Sequence, residues 1–251
     1  MRRMRGLSVL LSVSFAALAL VCSPVLPGLQ DGQALAQITD AFTSEEGQPI
    51  TVYDPYENFN RAMFNFNDKL YFYAVKPAAV VYKAYFMPEF RTAIRNGFDN
   101  MLFPVRFINC LLQGKGDKAG TETLRFLINS TMGMGGLYDF AETGFGIHAQ
   151  EEDFGQTLAG WGVGSGAYLV LPILGPTSSR DFGGYLVDSA MDPLYWIPAE
   201  LWVPAAVMTG KVVNNTSLRI GQYEDFKRAA LDPYISMRSA YYQYRARQIA
   251  N

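Results

Sequence analysis

Between Pro193 and Gly210 the chain carries a single charge, Glu200, yet three prolines stand at positions 193, 198 and 204. Such a stretch is apolar enough to seek lipid or a protein core. It does not suit a regular membrane-spanning helix, because each internal proline removes a backbone hydrogen bond and the length is marginal. Tyr195, Trp196 and Trp202 suit a boundary between hydrocarbon and water. The segment therefore reads either as a bent apolar helix lying in or against lipid, or as an ordinary core helix. After Lys211 the chain turns polar, with Arg219, Glu224, Asp225, Lys227 and Arg228 before Ala230. An apolar arm and a polar arm, 193–210 and 211–230, predict a helical hairpin turning at Thr209-Gly210.

Helical periodicity governs the remainder. Asp54-Pro55-Tyr56-Glu57 places an acidic cap, a proline at the first helical position and a glutamate three residues after the cap. Phe59, Met63, Phe66, Leu70 and Tyr73 follow on one helical face. Asn60 and Asn67 lie seven apart on one stripe, a spacing at which buried amides hold neighbouring backbone. Further helices are predicted over 77–86, 88–101, 104–113, 117–130, 179–191 and 234–249, divided by proline and glycine. Residues 167–171 form the one convincing strand-like run. The expectation is an all-α, single-domain fold with little strand.

The chain opens with Arg2, Arg3 and Arg5, followed by an uncharged run from Leu7 to Val21, which reads as a secretory signal. Ala34-Leu35-Ala36 is the favoured cleavage site, giving a signal peptide over 1–36. Acylation of Cys22 is the alternative, although Val21 stands where lipoprotein processing prefers a small residue. Residues 37–52 read as a loose leader, and 53–251 as the folded domain. After cleavage Cys110 is the only thiol, so no intrachain disulfide forms; among Ile108, Leu111 and Leu112 it reads as a buried, inert side chain.

Composition excludes several chemistries. A net charge of −2 offers no basic field for nucleic acid. One histidine and two cysteines rule out histidine-rich or cysteine-rich metal sites, and no cofactor or metal is expected. His148 reads as a surface-loop residue. Gly164-Ser165-Gly166 lacks the glycines two residues either side that a nucleophile elbow requires. Gly162 to Ala167 imitates a dinucleotide fingerprint but no strand precedes it. Glu151, Glu152 and Asp153 read as a solvated acidic turn. No catalytic residue is identified.

Several separated blocks resemble the MlaA (VacJ) family of Gram-negative outer-membrane proteins. They are Asp54 to Arg61 with Phe64-Asn65-Phe66-Asn67, then Asn109 with Leu111-Leu112-Gln113-Gly114. Arg125-Phe126, Asn129, Gly133 to Gly136 and Asp139 follow, and then Asp153 to Leu158, Trp161-Gly162, Leu171-Pro172 and Gly175-Pro176 through Arg180-Asp181. Ala167 departs from the proline usual in the family. Cys22 lacks the usual lipoprotein context.

The resemblance implies a ring of helices in the inner leaflet of the outer membrane, around an amphipathic channel. Mislocalised phospholipid would leave the outer leaflet through it and pass to a soluble MlaC-like periplasmic carrier, restoring lipid asymmetry. A trimeric porin would be a further partner, and no bond would be made or broken. On that reading the 193–230 hairpin borders the channel. Trp196, Leu201, Trp202 and Val207 are the candidates for its apolar wall, and Lys211 for meeting the phosphate, since an ammonium is a mobile point charge. Asp54, Pro55, Asn60, Arg61 and Asn67 are expected as scaffold. A porin-associated structural protein is the alternative, and a phospholipase a weaker one.

Overall fold

A computed structural model describes residues 54–196 and 202–251. The expected signal peptide, the leader and Leu201 lie outside the described residues. The first helix, α1 (Glu57–Leu70), runs through a π-turn (Tyr71–Val75) into α2 (Lys76–Tyr85). Three more follow: α3 (Pro88–Met101), α4 (Phe103–Leu112) and α5 (Gly116–Thr131), each of the first two with proline in its first turn, where a missing N–H costs nothing. After α5 the backbone turns left-handed at Met134, Gly135 and Gly136. The short helices α6 (Phe140–Phe145) and α7 (Phe154–Gly160) come next, capped by the side chains of Asp139 and Asp153.

Strands β1 (Tyr168–Leu171) and β2 (Gly175–Ser178) pair antiparallel, Tyr168 opposite Ser178. Ser178 then caps α8 (Ser179–Met191), and a 3₁₀ turn (Pro193–Trp196) follows. Beyond residues 197–201 come α9 (Trp202–Leu218), α10 (Gln222–Ala229) and α11 (Pro233–Ala250).

The chain does not turn at Thr209-Gly210, as the change from apolar to polar composition predicts. Helix α9 runs straight through both, with Thr209 Oγ1 donating to the Ala205 carbonyl at 2.9 Å. One internal glycine costs only about 1 kcal/mol relative to alanine, which packing easily offsets. The bend falls instead at Ile220-Gly221, where Gly221 adopts φ +106°, a conformation other residues resist.

The fold is an all-α ring. Its packing contacts close a circuit: α1 through the π-turn to α2, α2 to α9, α9 to α3, and α3 to α4 and α5. From α4 the circuit continues to α7, α8, β2 and β1, and so back to α1. Helix α11 lies against one arc, over α7 and β2. The largest buried apolar cluster sits under α11: Tyr168, Val170, Tyr234 and Tyr241, with Met63, Phe64 and Tyr242 packed around it. No described helix is long and apolar enough to cross a membrane. Large apolar side chains are nevertheless bare on many elements, among them Tyr73, Val81 and Tyr85 along one stripe of the π-turn and α2.

Candidate functional site

The wall formed by α9 against α2 and α3 carries the residues of greatest functional interest. On α9, Asn214 is fully buried; its Nδ2 donates to the Arg91 carbonyl at 2.8 Å and its Oδ1 accepts from the Tyr82 hydroxyl at 3.1 Å. Arg91 Nη1 donates to the carbonyl and hydroxyl of Ser217 at 2.7 and 3.0 Å. These bonds fix the antiparallel register of α3 and α9.

One turn earlier on α9, Lys211 is only 8% exposed. Its ammonium makes no ion pair or hydrogen bond among the described residues; it stands over the Phe98 ring, 5.6 Å from the centroid. Burial pushes the ammonium below its ordinary pKa, an effect that the carboxylates of Asp99 and Asp192 oppose from a distance. An unpaired buried cation is expensive, so fold stability does not account for a lysine here.

The predicted wall residues divide. Trp196 and Trp202 are 74% and 52% exposed, so neither rests in a dry interior, although Trp196 Nε1 donates to the Ala190 carbonyl at 2.8 Å. Val207 is half-buried on α9, one turn before Lys211. The structure thus places Trp202, Val207 and Lys211 on one helix, with Trp196 on the turn before it.

The amino-terminal motif forms a clamp. Asn60 Nδ2 donates to the Tyr168 carbonyl at 3.0 Å and its Oδ1 accepts from Val170 N–H at 2.8 Å. One stripe further, Asn67 serves the Leu171 carbonyl and the Ile173 N–H in the same way. Two amides on α1 therefore act as an extra strand edge for β1. Regular α-helix begins at Glu57, with Tyr56 before it, and Asp54 Oδ1 accepts from the Tyr56 N–H at 3.3 Å at the head of this turn. The Asp54 carboxylate also takes the Tyr234 hydroxyl, Arg238 Nη1 at 3.0 Å and Asn60 Nδ2 at 2.8 Å. Arg61 bridges Glu57 and Asp232 at 2.7 and 3.0 Å, over the Tyr234 ring. Together these tie α1 to the start of α11.

The acidic run at 151–153 is not a solvated turn, because each carboxylate is engaged by side chains from elsewhere in the fold. Glu152 is buried against Lys115 and Lys118, at 3.0 and 2.7 Å. Glu151 accepts from the Tyr244 hydroxyl, and Asp153 both caps α7 and pairs with Arg245. Arg245 reaches Asp181 as well, joining α7, α8 and α11 at one point. Gly155 and Gly184 let α7 and α8 touch there: a Cβ on Gly184 would lie 2.4 Å from the Gly155 nitrogen.

His148 is exposed beside Glu142, its Nδ1 2.8 Å from Oε1. Among the described residues no contact joins it to Ser165. Cys110 is buried and free, its thiol pushed up to about 11 by burial and nearby carboxylates. No group of side chains that could hold a metal ion occurs among the described residues.

Sequence reasoning missed Arg95, Asp188 and Arg245; the partners of Asp188 and Arg245 lie on other elements, and Arg95 Nε has none among the described residues.

Residues 52–248 match a family model described as MlaA lipoprotein. The intermembrane phospholipid transport system lipoprotein MlaA of Haemophilus influenzae is 36% identical over 199 residues, covering 76% of each chain. Its Escherichia coli namesake is 34% identical over 193 residues, again covering 76% of each. A solved chain, described under the structural basis for maintenance of bacterial outer membrane lipid asymmetry, superposes with a TM-score of 0.69. It shares 33% identity and is covered in full by 80% of this chain.

Proposed function

The chain belongs to the MlaA lipoprotein family, and from that premise we propose that it conducts mislocalised phospholipid out of the outer leaflet of the outer membrane. The lipid passes along the α9 wall and is handed to a soluble periplasmic carrier, with a trimeric porin as the neighbouring partner. The protein acts by geometry, without catalysis. A signal peptide over 1–36 exports it, and acylation at Cys22 is the alternative anchor.

The observation that carries this reading is Lys211: a buried ammonium with no ion pair or hydrogen bond among the described residues, where the apolar first half of α9 meets the buried amides Asn214 and Asn215. A passage for phospholipid must admit a charged headgroup along with two acyl chains. A lone cation in an apolar wall supplies attraction for a phosphate without the permanent grip of a paired site. The many exposed aromatic and aliphatic side chains, Tyr73, Val81 and Tyr85 among them, support immersion in one leaflet.

The test is genetic and chemical together. Cells lacking the gene should accumulate phospholipid at the surface, read with a membrane-impermeant amine label, and should become sensitive to detergent. Reintroducing the wild-type chain should reverse both, whereas Lys211→Glu should not, at equal protein level. Normal surface lipid in the deletion refutes transport. Val207→Glu should abolish transport while porin co-purification persists. His148→Ala should leave transport intact; its loss with the protein still folded would favour an enzyme.

A further inference from the structure

Apart from Lys211, one cationic side chain among the described residues is neither exposed nor paired. It is Arg95. Its Nε is sealed from solvent and has no hydrogen-bond partner, and its two Nη groups donate to no described residue. The other arginines and lysines that are not exposed each find an acceptor: Arg106 on Glu122, Arg125 on Asp139, Arg180 on Asp181 and Lys115 on Glu152, for example. A guanidinium has five donors in a rigid fork, and a sealed Nε without an acceptor carries a desolvation cost that no bond within the wall offsets.

Position sharpens the point. Arg95 lies on α3 one turn after Arg91 and three residues before Phe98, so all three share a stripe. Arg91 bonds to Ser217 on α9, and Phe98 lies beneath Lys211 on the same helix. As α3 runs from Arg91 to Phe98, the facing α9 runs from Ser217 back to Lys211. The Arg95 side chain therefore leaves α3 on the α9 side, between the Arg91–Ser217 contact and the lysine. Two cations without a hydrogen-bond acceptor among the described residues thus stand on facing helices, with only the more distant carboxylates of Asp99 and Asp192 to offset the charge of Lys211.

We propose that Arg95 and Lys211 together cradle the phosphodiester of a phospholipid headgroup, the guanidinium gripping two oxygens and the ammonium meeting a third. This rests on the reading of the α9 wall as a lipid passage, and it adds the residue that orients the headgroup. An arginine fork matches phosphate geometry in a way that a lysine alone does not.

The purified full chain in a non-ionic detergent, with short-chain phosphatidylglycerol as the probe, provides the test. Calorimetric titration should show binding weakened about 10- to 100-fold by either Arg95→Gln or Lys211→Gln, the range of one charge-assisted hydrogen bond. The double variant should bind little worse than either single one, because both groups serve one phosphate. Unchanged affinity in R95Q, or losses that simply add, overturns the shared cradle.

A measurement on the wild-type chain guards against misfolded variants. Phenylglyoxal should modify Arg95, located by peptide mass spectrometry, and phosphatidylglycerol should protect it. Equal labelling with and without lipid overturns the proposal, and so does equal protection by inorganic phosphate at the same concentration. Failure here is distinct from failure of transport: surface lipid that is normal in the deletion strain sinks the passage and leaves the binding data standing. Lost binding in R95Q with transport intact sinks only the cradle.

Discussion

Arg245→Met removes the cation that joins three helices. Arg245 is nearly sealed on α11, with Nη1 2.6 Å from Asp153 Oδ2 and Nη2 3.0 Å from Asp181 Oδ1. Burial alone would raise both carboxyls, yet the guanidinium pulls both below their ordinary range, and Asp181 reaches about 2. A fall from 3.8 to about 2 corresponds to ~2.4 kcal/mol for Asp181, at about 1.36 kcal/mol per pKa unit. Methionine leaves two buried carboxylates behind, and breaking such a pair from one side costs about 3–5 kcal/mol. Arg180 still faces Asp181 at 2.9 Å, so the unbalanced charge falls mainly on Asp153.

The pH dependence has a definite sign. A carboxyl with a depressed folded pKa stabilises the protein above its unfolded pKa, and that contribution disappears as pH falls through the folded value. The wild type thus loses the Asp181 share between about pH 4 and about pH 2. In R245M the burial of Asp153 is opposed mainly by the Gln156 N–H, so its protonation begins at higher pH and relieves the strain. The stability gap between the two proteins should be about 3–5 kcal/mol near pH 7 and should narrow towards pH 4. Urea unfolding followed by circular dichroism in mild detergent measures it. A gap below about 1 kcal/mol near pH 7, typical of an exposed pair, refutes the argument, as does one that is constant with pH.

Three other substitutions test further fastenings of the ring. Asn60→Ala strips buried partners from the Tyr168 carbonyl and the Val170 N–H, and should cost about 2–3 kcal/mol, with Asn67→Ala costing less at its half-buried site; equal small losses in thermal unfolding would contradict this. Asp188 is pushed up to about 7 by burial and then by the neighbouring Asp153 charge, although it accepts from Asn109 Nδ2 and Phe154 N–H. Its folded form holds a proton that the unfolded chain has released, so stability should decline as pH rises from about 4 to about 7. Asp188→Asn should flatten that decline in a series of melting temperatures, and an unchanged slope assigns it elsewhere.

The helices that were legible in sequence are those with explicit punctuation. Proline and flanking turns give α3 its span, and Ser178 with Asp181 three residues later marks the start of α8. Helix α7 was hidden by Gly155, which lowers helix propensity but is required because a Cβ there would lie 2.6 Å from Asp181 Oδ1. Strand β2 was hidden by Gly175-Pro176, a pair that pattern reading assigns to a turn; it is a strand because β1 offers it a partner. Lys211 was legible as a lone cation ending an apolar run. Arg95 and Arg245 were not, since a single arginine in an amphipathic helix says nothing of whether an acceptor waits opposite.

That last difference follows from how a ring must be held. A compact domain buries one face of each helix against a shared centre. A helix in a ring wall has neighbours only along its edges, so the stripe available for apolar burial is narrow. The described residues reflect this: more polar or charged side chains than hydrophobic ones are buried, and the hydrophobic set is mainly alanine and tyrosine. Cohesion shifts to directional contacts at the edges, such as Asn60 and Asn67 on β1, Asn214 on Arg91, and Arg245 on two aspartates. In a wall built that way, a matched buried charge is fastening. Among the described residues, the two non-exposed cations left unmatched, Arg95 and Lys211, are then the residues whose retention has to be explained by what comes through.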